Sequence, residues 1–157
     1  MFNWLKRCNS AEISAELYQQ RWEEQTLKGS ELSGKKLFSE AQRCFRKAQQ
    51  IAERGSAQYP QDETLLHYYA LSSMNLAHVC HSRALNSETE QVLSDAHFNM
   101  TSLMLDDAKD LGIRQHARVQ AEVLLKSLMR FLQQIGKTQV AHGLEEEFNR
   151  LALPLRQ

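Results

Sequence analysis

The sequence predicts an all-α protein of about six antiparallel helices, and three observations carry that prediction. β-Branched residues are scarce (5 Val, 4 Ile, 5 Thr), whereas the helix formers Leu (22), Ala (15) and Gln (15) dominate the 157 residues. No proline falls between Gln61 and Leu153, and the two prolines, Pro60 and Pro154, stand where helices can break. Capping residues and glycines punctuate the rest of the chain.

Taken in order, the first helix is expected from Ser10, its N-cap, to near Gly34, with Ile13, Leu17, Trp22 and Leu27 inward. The second starts near Leu37 and ends near Gly55. Tyr59-Pro60-Gln61-Asp62 breaks the chain, and Asp62 caps a third helix over about 63–85. Ser87-Glu88-Thr89-Glu90 reads as a capping box for the fourth, about 88–111, which Gly112 ends. The fifth runs over about 114–135 and stops at Gly136; the sixth runs from about Thr138 to Leu153, before Pro154. Short connections make neighbours antiparallel, giving hairpins over about 10–56, 62–112 and 114–153 in a single domain spanning 1–157.

Nineteen basic and nineteen acidic residues cancel to no net charge. The zero is uneven: residues 1–54 sum to +3, 55–112 to −6 and 113–157 to +3. A uniformly basic nucleic-acid binder is excluded, whereas local charge recognition is not. At 42% hydrophobic and 24% charged the chain has ordinary globular composition.

Met1–Arg7 has no apolar signal-peptide core. Thr64–Ser82 lacks Asp, Glu, Lys and Arg for 19 residues, but His67, His78, His81, Asn75, Ser72, Ser73 and Ser82 make it too polar for a lipid-exposed span. It reads as a helix buried in protein on two faces. Cys8, Cys44 and Cys80 form no CxxC pair, so free thiols in the cytoplasm are expected, Cys44 and Cys80 as inert core residues.

One hairpin carries a known pattern. Gly29, Leu32, Phe38, Ala41, Phe45 and Ala48 place a small residue in the first helix, an aromatic opening the second, then small-x₃-aromatic-x₂-small. This resembles the tetratricopeptide repeat (TPR), with Lys28 and Gln25 departing from the Leu and Trp the family prefers. Weaker copies read through Leu76, Ala77 and Cys80 to Ala96, Met100 and Leu103, after about seven extra residues, and through Leu125, Leu128, Met129 and Leu132 to Gly136 and Ala141. Glu145 stands where an aromatic is expected. Gly29, Ala77 and Met129 are 48 and 52 residues apart, against about 34 for a standard repeat. The resemblance implies three stacked TPR-like hairpins; the alternative is a closed six-helix bundle with one fortuitous match.

If the hairpins stack, the resemblance assigns a concave groove to the first helix of each pair. That groove would draw Glu23, Thr26, Ser30 and Ser33 from the first pair, Leu71, Met74, His78 and His81 from the second, and Val123, Lys126, Arg130 and Gln133 from the third. The spacing 71, 74, 78, 81 independently marks one helix face, with Tyr69, Leu76, Cys80 and Ala84 on the opposite face. Leu71 and Met74 would anchor a peptide or amphipathic helix, and Lys126 and Arg130 at i,i+4 could hold a carboxylate, although a solvated helix face is the ordinary reading of such a pair. The family's carboxylate clamp is not predicted: Asn75 and Lys126 partly match it, but Thr26 and Ser30 stand where Lys and Asn belong.

No motif names a reaction. His78 and His81 at i,i+3 could share a metal with His97, His67 lying about 16 Å along the axis from His78, but no HExxH, CxxC or phosphate loop supports a site. No cofactor, metal site or catalytic residue is therefore predicted. Glu145-Glu146-Glu147 reads as a solvated run near a helix start. Phe2, Trp4 and Leu5 beside Lys6 and Arg7 suggest a short amphipathic segment that docks on the body or a partner rather than a membrane. The leading expectation is a non-catalytic cytoplasmic adaptor that binds a protein or peptide partner. A nucleic-acid-binding helical protein, and a metal-binding or enzymatic bundle using His78 and His81, are the alternatives. Phe148, Leu151, Leu153 and Leu155 leave room for a homodimer contact.

Overall fold

A run of helix-forming residues broken by tight turns gives an all-helical chain. In a computed structural model, which describes residues 13–156, the helices are α1 (Ala15–Gly34), α2 (Phe38–Gln58), α3 (Glu63–Ser82), α4 (Asn86–Leu105), α5 (Leu111–Gln134) and α6 (Thr138–Ala152), followed by a 3-10 turn over Leu153–Leu155. The described residues contain no strand. Ser10, Cys8 and the segment Phe2, Trp4, Leu5, Lys6 and Arg7 lie outside the described residues. The observed cap of α1 is Ser14, whose hydroxyl accepts from the Leu17 N–H. Asp62 caps α3 as expected, accepting from the Leu65 N–H at 3.0 Å.

The helices pair as α1–α2, α3–α4 and α5–α6, and the three pairs share one turn geometry. Lys36, Ala84 and Gly136 each adopt left-handed backbone, with φ of 60°, 58° and 82°. The N–H of each bonds the carbonyl three residues back, at Ser33, His81 and Gln133. The next N–H bonds five back, at Leu32, Cys80 and Leu132. These paired bonds satisfy carbonyls that a helix end leaves open. The turn positions are 48 and 52 residues apart, so the hairpins share one register.

That register corrects the expected second copy. No seven-residue insertion is present: Thr89, Leu93 and Ala96 occupy the places of Ala41, Phe45 and Ala48, and all six are buried. In the third hairpin Ala141 and Phe148 take the places of Ala41 and Ala48. Glu145 stands at the Phe45 place for a physical reason. Phe45 packs against Leu76, Val79 and Cys80 of the next hairpin, and Leu93 clusters with Leu128 and Phe131 of the one after. Glu145 is on the last described hairpin, and its side chain is exposed.

Several helix ends also differ from expectation. Gly55 lies inside α2, where an added Cβ would sit 3.1 Å from Leu65 and Tyr18; it permits close packing rather than ending the helix. Ser87 is inside α4, whose N-cap is Leu85 with no side-chain bond, because the left-handed turn at Ala84 starts the helix without a capping box. Gly112 belongs to α5, not to the end of α4. α4 stops at Leu105 because the Asp106 carboxylate captures the Ala108 N–H and Arg114 donates to the Met104 carbonyl. Ala84 is in the turn, beyond the packed face of α3, and Leu27 is 73% exposed rather than inward.

Packing is sequential. α2 and α1 touch α3, and α4 and α3 touch α5, but neither α1 nor α2 comes within 8 Å Cα–Cα of α5 or α6 among the described residues. The molecule is an open stack rather than a closed bundle. α3 is at its centre, buried on two faces through Leu65, Leu66, Tyr69, Leu76, Val79 and Cys80. Its buried serines are satisfied: Ser72 accepts from the Trp22 indole, and Ser73 accepts from Gln49 at 2.9 Å. No described helix is long and apolar enough to cross a membrane.

Candidate functional site

At the turn end of the second and third hairpins, α3, α4 and α5 frame a cleft of about 200 Å³. α3 supplies Met74, Ala77, His78 and His81, whose spacing places them on one face. The first turns of α4 supply Thr89 and Leu93, and α5 supplies Ser127, Arg130, Phe131 and Gln134. The walls divide by chemistry. Met74, Ala77, Leu93 and Phe131 make an apolar side, and the His81 ring meets Phe131 edge-on at 5.5 Å. The Ser127 hydroxyl lies 3.4 Å from the Met74 sulfur, pinning that flexible side chain against α5.

The rim carries one guanidinium and two imidazoles, and no carboxylate lines it. Arg130 is exposed and makes no ion pair with a described carboxylate. Its neighbours on α5 differ: Lys126 and Arg118 both sit on Glu122, each at 3.4 Å. The cleft therefore suits an anionic or hydrogen-bond-accepting group beside an apolar one.

Four residues nominated from the sequence meet here: Met74, His78, His81 and Arg130. The other eight do not line the cleft, Thr26, Ser33, Val123 and Gln133 among them. Leu71 is partly buried against the core, so it is less free than a groove anchor. Lys126 points its ammonium at Glu122. Glu23 accepts from the Tyr68 hydroxyl at 3.1 Å, in a cluster where Tyr68 stacks on Trp22 with ring centroids 3.6 Å apart. Ser30 is exposed on α1. Thr89, Leu93, Ser127, Phe131 and Gln134 were not nominated; the 127, 131, 134 spacing on α5 is the signal that points to three of them.

The histidines fall into separate environments. His67 faces Gln120 of α5 at 3.4 Å. His97 does not join His78 and His81: its Nδ1 donates to the Ala121 carbonyl at 3.0 Å, and its ring lies 5.5 Å from Phe148. Burial pushes the His97 imidazole below the ordinary histidine range, with the Ala121 bond and Glu147 opposing. Among the described residues no three of His, Cys, Asp and Glu gather within metal-ligating reach. Cys44 and Cys80 are free and buried. Burial pushes the Cys80 thiol up, and the Glu88 carboxylate adds to that, so it is poorly nucleophilic.

Fold and cleft together define an all-helical hairpin stack with a small mixed apolar and cationic cleft near its turn edge. The chain belongs to the family described as protein of unknown function (DUF2753), whose model matches residues 20–151, from within α1 to the end of α6. No curated protein and no solved structure matches it.

Proposed function

We propose that the protein is a non-catalytic interaction module that holds a peptide or helical segment of a protein partner against the second and third hairpins. The observation that carries this reading is the cleft in which Met74, His78, His81 and Arg130 converge with no carboxylate among them. An apolar side chain would enter beside Met74 and Phe131, and a carboxylate or carbonyl would meet Arg130 and the imidazoles.

A divergent TPR origin is part of the proposal. Its support is the packing of the resembling residues: Ala41, Phe45 and Ala48 are buried, and Phe45 lies against Gly29. The common turn geometry adds to it, as does the open stacking that such repeats need to present a binding face. A cytoplasmic setting is proposed from the free thiols of Cys44 and Cys80.

The test is affinity capture from the source cells with the wild-type protein and with His78→Glu/Arg130→Glu. Both positions are exposed, so the double variant keeps the fold. We expect at least one wild-type partner to be lost on the variant. An identical set of captured proteins on both would remove the cleft from the account.

A further inference from the structure

Two equivalent seams of the stack differ in their chemistry. Between α2 and α4 lies a cleft of about 420 Å³ lined by Arg46, Gln49, Glu88, Gln91, Val92 and Asp95. It is polar, and Arg46 reaches Glu88 across it at 3.3 Å. The corresponding cleft between α4 and α6, about 390 Å³, is found by stepping 48 positions from α2 and 52 from α4. Arg46 becomes Ser94, Gln49 becomes His97, and Gln50 becomes Phe98. On the other wall Val92 becomes Leu144, Asp95 becomes Glu147 and Asn99 becomes Leu151, while Glu88 and Gln91 give way to Val140 and Gly143, which do not line the cleft. Lys137 pairs with Glu90 at the turn end at 2.7 Å. Beyond that pair the seam is mixed: Phe98, Leu105, Leu144 and Leu151 line it with Leu128 of α5 between them, alongside polar residues that include Ser94, Ser102 and Glu147.

Three details mark this seam as unfinished in the isolated chain. Phe98 is 69% exposed at its lip, and Leu105 is 42% exposed farther along. Thr101 lines it, and its buried hydroxyl has no hydrogen-bond partner among the described residues. Glu147 is the only charged side chain lining it and makes no ion pair among the described residues. Of the five carboxylates in residues 86–107, Glu88 pairs with Arg46, Glu90 with Lys137 and Asp107 with Arg114, which leaves Glu147 as the unpaired charge at the seam.

We propose that the α4–α6 seam docks a basic amphipathic helix from a partner protein. Its apolar stripe covers Phe98, Leu105, Leu144 and Leu151, and a lysine or arginine at its edge meets Glu147. A second copy of this chain fits less well, because a twofold contact centred on the seam would set Glu147 against its own copy. The seam shares no lining residue with the cleft of Met74, His78, His81 and Arg130, so it stands apart from the proposed function.

The test uses the full chain and a dye-labelled synthetic helix with leucines at i, i+4 and i+7 and lysines flanking them, read by fluorescence anisotropy. A twin helix carries Glu for every Lys. We expect saturable binding of the lysine helix, at least about tenfold weaker binding of the twin, and weakening with added salt. Phe98→Glu and Glu147→Lys should each weaken the lysine helix by about tenfold or more while keeping wild-type helicity and Tm. Glu24→Lys, the same charge change on α1, should leave it unchanged. No saturable binding, or binding that ignores both seam variants, overturns the proposal. So does a wild-type dimer in light scattering that Phe98→Glu converts to monomer, which would give the seam to a second copy.

Discussion

Gly29 shows how one residue sets the spacing of a hairpin. A Cβ there would lie 2.8 and 2.9 Å from two ring carbons of Phe45, which is itself buried and unable to withdraw. Gly29→Ala gains about 1 kcal/mol of helix propensity but forces overpacking that costs about 1–3 kcal/mol. The net expectation is a loss on the order of 1 kcal/mol in urea unfolding; a variant as stable as wild type would contradict the close packing. His97 makes a second residue-scale prediction. Its folded-state pKa lies below the unfolded value, so as pH falls through about 6.5 the unfolded chain takes up the proton first. The contribution of His97 to stability is thus full above that range and is lost as pH falls toward the folded value. His97→Gln should flatten the fall in Tm between pH 7 and pH 5 relative to wild type, and equal slopes would count against it. Four groove residues were legible at this scale because 74, 78 and 81 follow helical spacing and Arg130 follows the same rule on α5. Ser127 lines the cleft where Lys126 was expected, because which of two adjacent residues faces a neighbour depends on the packing of α5 against α3. Leu27 was misread because helical spacing does not say which end of an apolar stripe the next helix covers.

The helix was legible as an element almost everywhere, and its ends were not. Gly55 and Gly112 look like terminators in one dimension, yet one is a close-packing position inside α2 and the other lies in the first turn of α5. The stops that operate are local captures, Asp106 on the Ala108 N–H and Arg114 on the Met104 carbonyl, and the latter joins residues ten apart. The turns hid for a related reason: two of the three left-handed positions hold Lys36 and Ala84, not glycine. A side chain in that region costs about 1 kcal/mol relative to glycine. Ala84→Gly should therefore raise stability by about 0.5–1 kcal/mol, measured as a higher urea midpoint at unchanged m. A lower midpoint would show that Ala84 is not held left-handed. Once the turns are aligned, the α4–α6 seam could be read from the sequence; with a seven-residue insertion assumed, its comparison with the α2–α4 seam stays hidden.

At the scale of the whole molecule, the uneven charge becomes spatial. The acidic middle third lies largely on α4 and the loop after it, where Glu88 and Asp95 face the α2–α4 cleft and Glu90 holds Lys137 at the turn end of the seam with α6. The uncharged stretch of α3 is the buried spine that joins the first hairpin to the third. Both proposed surfaces depend on the stack being open, since a closed bundle would bury or rearrange them. Fold class was legible because composition and proline placement report helix content directly; open against closed was not, because the same apolar faces satisfy either arrangement. The most direct test is a pulsed electron-spin distance between labels at Glu24→Cys on α1 and Glu146→Cys on α6, both exposed, in a Cys8→Ser background with Cys44 and Cys80 left buried. With α3 and α5 between them, the account predicts a separation above about 20 Å, two or more helix spacings. A main distance near about 10 Å, one helix spacing, would place α1 against α6 and contradict it.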